Sequence, residues 1–236
     1  VYDRAVGYFR STVFLLIGPS LIDFARRGGV MRLICSPVLT NEDYLAISDG
    51  YRFRDETLGE ALVRDLESLC SDKKLMANTE ALATLISLGI ISVKIAFRPE
   101  SQGLYHEKIG IFKDNSGNVV SFKGSVNESW NGWHDRGNFE SFDTYCSWDG
   151  DKERTRVSNS ETYFNRLWNG ELNAINVVDF PNVAKEKIQT IAKESIEQID
   201  IEALYEVKNS VAEAATVDKK RKPLKHQLAA IEAWIK

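Results

Sequence analysis

The chain has 236 residues, of which 43% are hydrophobic and 27% charged, and its formal net charge is −4 at pH 7. This length and hydrophobic content predict one sizeable core with at most a small appendage. The negative net charge argues against a protein that coats nucleic acid by nonspecific electrostatic binding, although it is compatible with a local basic cleft. No apolar run approaches the roughly 20 residues that cross a bilayer, so we expect neither a transmembrane helix nor a secretory signal.

The three cysteines, Cys35, Cys70 and Cys146, are odd in number, widely spaced and placed in apolar segments. This pattern indicates reduced, buried thiols in a cytoplasmic protein, and not disulfides or a zinc site. Histidine and acidic residues do not occur at metal-ligand spacing either, so we expect no metal ion.

The first predicted elements are a helix and a strand. Apolar residues predict a helix over 11–27, broken near Gly18-Pro19 and ended by the Gly28-Gly29 pair. The continuous apolar run at 30–35 is typical of a strand that is buried on both faces.

Three further helices and a second core strand are predicted before the middle of the chain. Thr40 and Asp43 form a capping pair for a short helix, and 55–70 has a helical apolar stripe that predicts core packing. A helix over 79–88 then leads into an apolar strand over 90–97.

A β-hairpin is predicted next, with strands over 107–113 and 119–123 joined by an Asn-Ser-Gly turn. Side chains at i and i+2 of a strand share a face, so His106 and Lys108 would project together. The hairpin brings Asn127, just past the second strand, beside that end of the first strand.

This arrangement places a nucleophile, a cation and an amide together, a set that suits a phosphodiester substrate. Taken alone, His106 and Lys108 also fit ordinary structural and surface roles, and Ser125 and Ser129 fit an ordinary polar loop. The combination favours the functional interpretation.

A strand over 139–148, a helix over 158–168 and a strand over 175–180, ended by Pro181, complete the pattern. Because strands and helices alternate along the chain, the sequence predicts an α/β fold.

His106-Glu107-Lys108, followed about sixteen residues later by Gly124-Ser125-Val126-Asn127-Glu128-Ser129, resembles the phospholipase D superfamily, above all its metal-independent nucleases. Val6 to Ser11 and Gly28 to Pro37 resemble the opening helix and first core strand of such domains. The resemblance spans residues 1–180 and implies a phospholipase-D-like sandwich, with a mixed central sheet flanked by helices.

The chain departs from the family pattern at one position. The family often has an Asp five residues after the Lys, but this position is Lys113 and the acid is Asp114, which a one-residue shift would turn to the other face. We therefore assign no catalytic role to Asp114. Members that lack the Asp place a Glu downstream, and Glu140 matches it, so Glu140 is the candidate for orienting His106. An acidic residue on an exposed strand face is the alternative.

The resemblance implies a mechanism without metal. His106 would attack phosphorus and form a phosphohistidine, and a second His would protonate the leaving oxygen. Lys108 and Asn127 would hold the non-bridging oxygens, and Ser125 and Ser129 would contact or support the phosphate.

The mechanism needs two histidines, whereas only His106 lies in a His-x-Lys motif; the others are His134 and His226. Single-motif family members pair two subunits about a two-fold axis, so we expect a homodimer that shares one site. Substitution by His134 within one chain, or a second motif after Lys236, remains an alternative.

The composition changes after residue 180. Residues 183–216 predict an exposed helix and linker, and 218–222 is a charge run typical of a tether. Arg221 to Trp234 resembles the segment that opens the motor of DEAD-like superfamily 2 helicases, in which Gln227 would contact adenine; an amphipathic terminal helix is the alternative. No Gly-Lys dipeptide for a P-loop occurs, so we expect ATP and Mg to be bound only by a motor that follows Lys236.

We therefore expect a nuclease domain (1–180), a helical linker (181–222) and the start of a helicase motor (223–236). The expected function is DNA endonuclease activity coupled to a helicase, as in restriction or phage-defence systems. Two alternatives stay open: a DNA-binding module without activity, and a phospholipid head-group hydrolase. Trp130, Trp133 and His134 would either stack on bases or pack near the site.

Overall fold

The computed structural model describes residues 1–7, 14–36, 54–71, 76–98, 105–127, 133 and 137–205. These residues form an α/β fold in which one mixed sheet has helices on both faces. The strands of the sheet are β1 (Tyr2–Val6), β2 (Met31–Cys35), β3 (Ile91–Phe97), β4 (Lys108–Lys113), β5 (Val119–Gly124), β6 (Phe142–Cys146) and β7 (Asn176–Asp179). The helices are α1 (Phe14–Arg26), α2 (Arg54–Ser71), α3 (Met76–Ser87), α4 (Asp151–Trp168) and α5 (Asn182–Ile191), and a short 3-10 helix follows at Ile196–Gln198.

The strand order of the sheet is β6-β5-β4-β1-β2-β3-β7. The first three strands are parallel, and the remaining four pair antiparallel with their neighbours. Val6, at the carboxyl end of β1, lies opposite Lys108, at the start of β4. The sheet therefore brings the carboxyl ends of β1 to β3 to the same edge as the beginning of β4.

Each face of the sheet has its own core. Helices α1, α3 and α5 cover one face and bury residues such as Ile22, Leu33 and Leu85. Helix α4 covers the other face across β4 to β6 and buries Phe164 and Leu167. Both faces of β1 and β2 are thus shielded, which explains the nearly continuous apolar run predicted for β2.

Strand β1 was not predicted, and it lies in the centre of the sheet. Because Val6 is the last residue of this strand, the expected opening helix cannot include it. Residues 8–13 lie outside the described part of the chain. The strand escaped prediction because Asp3 and Arg4 interrupt its apolar pattern.

The predicted break of the first helix near Gly18-Pro19 was wrong, since α1 continues through Pro19. An internal proline costs a helix about 3 kcal/mol. Burial of Leu21 and Ile22 contributes about 1.5–3 kcal/mol each and offsets this cost. The predicted end is confirmed: Gly28 has a φ of +79° and Gly29 donates a 2.9 Å hydrogen bond to the Phe24 carbonyl.

The predicted hairpin is confirmed, with β4 and β5 paired antiparallel. Asp114 fixes its turn by accepting 2.8 Å hydrogen bonds from the backbone N–H groups of Ser116 and Asn118 and from the Asn118 side chain. The Asn118 amide, followed by these backbone donors, lowers the pKa of Asp114. Asp114 therefore has a structural role in this turn.

Gly110 in β4 leaves space for an aromatic ring from β5. A Cβ atom at position 110 would lie 2.1 Å from Cζ of Phe122, so the ring rests directly on the β4 backbone. Phe122 also contacts Phe112, with ring centroids 6.1 Å apart.

The other predicted elements are present with shifted ends. Helices α2 and α3 and strands β2, β3, β6 and β7 overlap their predicted ranges. Helix α4 begins at Asp151, earlier than expected, because its first residues are charged and show no apolar periodicity. Asp151 and Glu153 in its first turn interact favourably with the positive end of the helix dipole. The predicted short helix at Thr40 and Asp43 lies outside the described residues.

The exposed helix and linker predicted over 183–216 are described as far as residue 205, and the helix there is only partly exposed, because its apolar face packs on the core. Ala184 and Ile188 of α5 are buried against α2 and α3, and Ile199 and Leu204 join the same core. Ala184 and Ile188 are four residues apart and share one face of α5, while the charged residues between them stay at the surface.

All three cysteines are free thiols. Cys35 is buried as predicted, and its burial raises the pKa of the thiol to about 12. Cys70 and Cys146 are only half-buried. No helix among the described residues has both the length and the apolar character needed to cross a membrane.

Candidate active site

The predicted site residues gather at the edge of the sheet where β1 to β3 end and β4 begins. Ligands of open α/β sheets bind outside the carboxyl ends of parallel strands. His106 precedes β4, Ser125 and Asn127 follow β5, and Glu140 precedes β6. The topology therefore brings these four residues to one edge from three different segments.

His106 is exposed, and its backbone lies against Gly7. A Cβ atom at position 7 would be 2.5 Å from the His106 Cα and 2.7 Å from the Tyr105 carbonyl oxygen. The chain after β1 thus passes so close to His106 that only glycine fits without displacement.

Lys108 is buried, and its Nζ donates a 2.8 Å hydrogen bond to the His106 carbonyl. Burial lowers the pKa of this amine, the negative charge of Glu140 raises it, and the positive charge of Arg4 lowers it. The net pKa is lower than that of an ordinary lysine. Lys108 is therefore a desolvated cation whose charge is sensitive to its two charged neighbours.

Glu107 lies between His106 and Lys108 and contacts a different set of residues. It accepts hydrogen bonds of 2.6 Å from the Tyr163 hydroxyl and 2.6 Å from Lys123 Nζ, and Tyr105 lies 3.4 Å away. Burial, followed by interactions with Glu107, raises the pKa values of Tyr105 and Tyr163, so both hydroxyls remain donors. Glu107 thereby ties the His-x-Lys segment to β5 and α4.

Asn127 is half-buried, and no hydrogen-bond donor in the described structure reaches its buried Oδ1 atom. The preceding residue, Val126, is buried, and its carbonyl accepts a 2.6 Å hydrogen bond from Arg4 Nη2. An unsatisfied buried amide oxygen costs about 1–3 kcal/mol, so its retention calls for an explanation.

Ser125 and Glu140 contact each other at the rim of the site. The Ser125 hydroxyl donates to Glu140 and accepts a 3.1 Å bond from the Ser141 N–H, while Asn138 donates a 3.1 Å bond to Glu140. The approach is possible because Gly124 has no side chain: a Cβ there would lie 2.1 Å from the Ser141 carbonyl. The described hydrogen bonds of Glu140 go to Ser125 and Asn138, and its orientation of His106 stays a prediction.

Several predicted residues lie outside the described part of the chain: Ser129, Trp130, His134 and Gln227. Trp133 is described and is exposed. Within the described ranges, no group of three or more His, Cys, Asp or Glu residues is placed to hold a metal ion.

Sequence reasoning missed Arg4, Glu107 and Tyr163 as neighbours of the site. Glu107 is expected from the sequence only to face away from His106 and Lys108, and Tyr163 lies inside the predicted helix over 158–168 without any local signal that this helix packs against Glu107. Two adjacent charged residues between apolar ones, in Tyr-Asp-Arg-Ala-Val, are the available indication for Arg4.

No model of a known protein family matches this chain, and a search of curated proteins finds no match. The interpretation of the site therefore depends on its geometry and on the His-x-Lys and Gly-Ser-x-Asn motifs.

Proposed function

We propose that the chain is a metal-independent phosphodiesterase of the phospholipase D type that cleaves DNA through a phosphohistidine intermediate. Lys108 is the observation on which this proposal chiefly depends. A desolvated cation next to the exposed His106, at an edge shared with the Asn127 amide, suits the binding of a phosphate at the nucleophile. The mixed sheet with helices on both faces supports the phospholipase-D-like sandwich.

In the first step, a ring nitrogen of His106 attacks phosphorus. A phosphorus–nitrogen bond forms, the bond from phosphorus to the leaving oxygen breaks, and a second histidine gives its proton to that oxygen. Lys108 and the Asn127 Nδ2 group stabilise the charge on the non-bridging oxygens. His106 is exposed, as a nucleophile must be if it is to reach a phosphodiester in a DNA strand.

In the second step, water attacks the phosphohistidine and the phosphorus–nitrogen bond breaks. The second histidine takes the proton from water and returns to its starting state. Dividing one displacement into two steps lowers the barrier of each. Lys108 stabilises the charge that develops on the phosphate in both steps.

The second histidine is His106 of another copy of the chain. Two copies related by a two-fold axis would share one site, because His106 is exposed beside the sheet edge. The resemblance of Arg221 to Trp234 to the start of a helicase motor supports coupling to DNA translocation, with ATP and Mg bound by that motor.

A second candidate function is DNA binding without catalysis. It is favoured by two contacts: Lys108 Nζ already donates to the His106 carbonyl, and the Ser125 hydroxyl already donates to Glu140. In a binding module these internal contacts would persist with DNA bound.

The test is cleavage in excess EDTA with plasmid, single-stranded DNA and phosphatidylcholine as separate substrates. The proposal is supported if the wild-type protein nicks DNA and His106→Ala does not. Arg154→Ala, which changes an exposed side chain, is the control for purification. Strict dependence on Mg²⁺ or Mn²⁺ would overturn the mechanism. Release of choline would show that the protein is a phospholipid head-group hydrolase. DNA binding without cleavage would show that it is a binding module.

The shared site is tested by mixing. Wild-type and His106→Ala chains, separately tagged, are combined, and heterodimers are purified and assayed. Loss of nearly all activity in the heterodimer is expected, because one of the two histidines is missing. A monomer that cuts DNA, or a fully active heterodimer, would rule out sharing.

A further inference from the structure

Arg4 is an arginine at the centre of the sheet with 0% exposure. Fully buried arginines are rare, and they persist where their guanidinium groups are bound. Arg4 donates a 2.6 Å hydrogen bond to the Val126 carbonyl, and its guanidinium lies 5.1 Å from the centroid of the Phe122 ring. Its charge also acts on Lys108.

The Val126 carbonyl belongs to the peptide that links Val126 to Asn127. This segment follows the end of β5 and has no strand partner at position 126 or 127, so its position depends on such individual contacts. Val126 is anchored by the burial of its side chain and by Arg4. A hydrogen bond to one end of the peptide restrains the other end, where Asn127 begins.

We infer that Arg4 is a positioning residue that holds Asn127 in its productive place by binding the Val126 carbonyl. Arg4 does not contact the substrate, because it is completely buried. The inference deepens the proposed function and depends on it. No donor in the described structure reaches Asn127 Oδ1, so no hydrogen bond to this oxygen fixes the side chain, and its position depends on the backbone that Arg4 restrains.

The test is a double-mutant cycle in DNA cleavage. Arg4→Met should lower kcat by about 10²-fold with KM nearly unchanged, since displacement of a catalytic group by about 1 Å costs that much. In an Asn127→Ala background, Arg4→Met should change kcat by less than about two-fold, because the group it positions is gone. Full additivity of the two losses would overturn the inference.

Arg32 provides the matched control. It is an arginine of the neighbouring strand β2, it lies 5.0 Å from the centroid of the Phe164 ring, and it is bound to Asp3 on the opposite face of the sheet. Arg32→Met removes a similar group without touching Val126. Its effect on kcat should be small and independent of Asn127→Ala; coupling as strong as that of Arg4 would show a general loss of folding and overturn the inference.

If Arg4→Met does not fold, Arg4→Lys keeps the charge and removes the forked donor. Its readout is the pair of side-chain amide signals of Asn127 in a ¹H–¹⁵N spectrum, assigned by their absence in Asn127→Ala. The signals should shift or broaden in Arg4→Lys and stay in place in Arg32→Lys. Unchanged signals in Arg4→Lys would contradict the inference.

These outcomes are separable from failure of the proposed function. A wild-type protein that never cleaves DNA refutes the function, whereas an active wild type with additive Arg4 and Asn127 effects refutes only the positioning role. The spectrum reports on Asn127 without any cleavage.

Discussion

Tyr163 of α4 donates a 2.6 Å hydrogen bond to Glu107, the residue that separates His106 from Lys108. The contact joins the back of the candidate site to the helix that covers this face of the sheet. It makes the position of both proposed catalytic side chains depend on a residue from a distant part of the chain.

Removing the Tyr163 hydroxyl should therefore affect stability and activity together. We expect Tyr163→Phe to lose about 1.5–3 kcal/mol of unfolding free energy in urea, the range for a bond to a charged group. Cleavage should slow because the His-x-Lys segment loses an anchor. The surface residue Tyr205 provides the control, and Tyr205→Phe should change neither quantity. Equal stability of the two variants would show that the bond contributes nothing.

The pH dependence of cleavage should report on Lys108. Burial and Arg4 lower its pKa, so activity that needs the charged amine is present at lower pH and is lost as pH rises through this lowered value. The alkaline limb of the kcat/KM profile should lie below the ordinary lysine value of about 10.4. Lys108→Arg stays charged, so its limb should move to higher pH even if its rate is reduced. An identical limb in both proteins would assign the titration to another group.

Glu140→Gln should slow cleavage with little change in affinity for DNA. Because the Glu140 charge raises the pKa of Lys108, its removal should also move the alkaline limb to lower pH. Asp143→Asn, on an exposed position of β6, is the comparison variant. If Glu140→Gln instead prevents folding, Glu140 has a structural role through Ser125.

Gly7→Ala should displace His106. The added Cβ would meet backbone atoms at 2.5 and 2.7 Å, which cannot move away as a flexible side chain can. We expect a loss of about 1–3 kcal/mol from overpacking and a fall in kcat of at least about ten-fold. In Gly59→Ala the nearest atom is 3.5 Å away, so this helical variant should be neutral or slightly stabilising. Unchanged activity of Gly7→Ala would show that His106 tolerates displacement.

Much of the fold was predictable because its local patterns agree with its packing. The hairpin followed from its turn residues, and the helix end at Gly28-Gly29 followed from the need for a positive φ. Two errors share a cause, namely that tertiary contacts outweighed local propensity. Pro19 is accommodated because its helix is packed on the core, and α5 buries one apolar face although most of its residues are polar.

The arrangement of the candidate site was predictable only in part for the same reason. His106, Lys108 and Asn127 are recognisable because their spacing is short and local. Arg4 and Tyr163 lie far along the chain from the residues that they contact. Arg4 binds Val126 across 122 positions and Tyr163 binds Glu107 across 56, so both contacts exist only after the sheet and its covering helix have formed. Pairing between β1 and β4 brings Arg4 to the candidate site, and packing of α4 on the sheet brings Tyr163 there; no sequence period encodes either.

The ring of Phe122 on the bare backbone of Gly110 has an evolutionary consequence. Neither position can change freely, because any side chain at 110 collides with the ring, and a smaller residue at 122 leaves a void over β4. In related sequences the two positions should covary, with glycine at the first whenever the second is aromatic. A variant library randomised at both positions should return such matched pairs and few of the mixed ones.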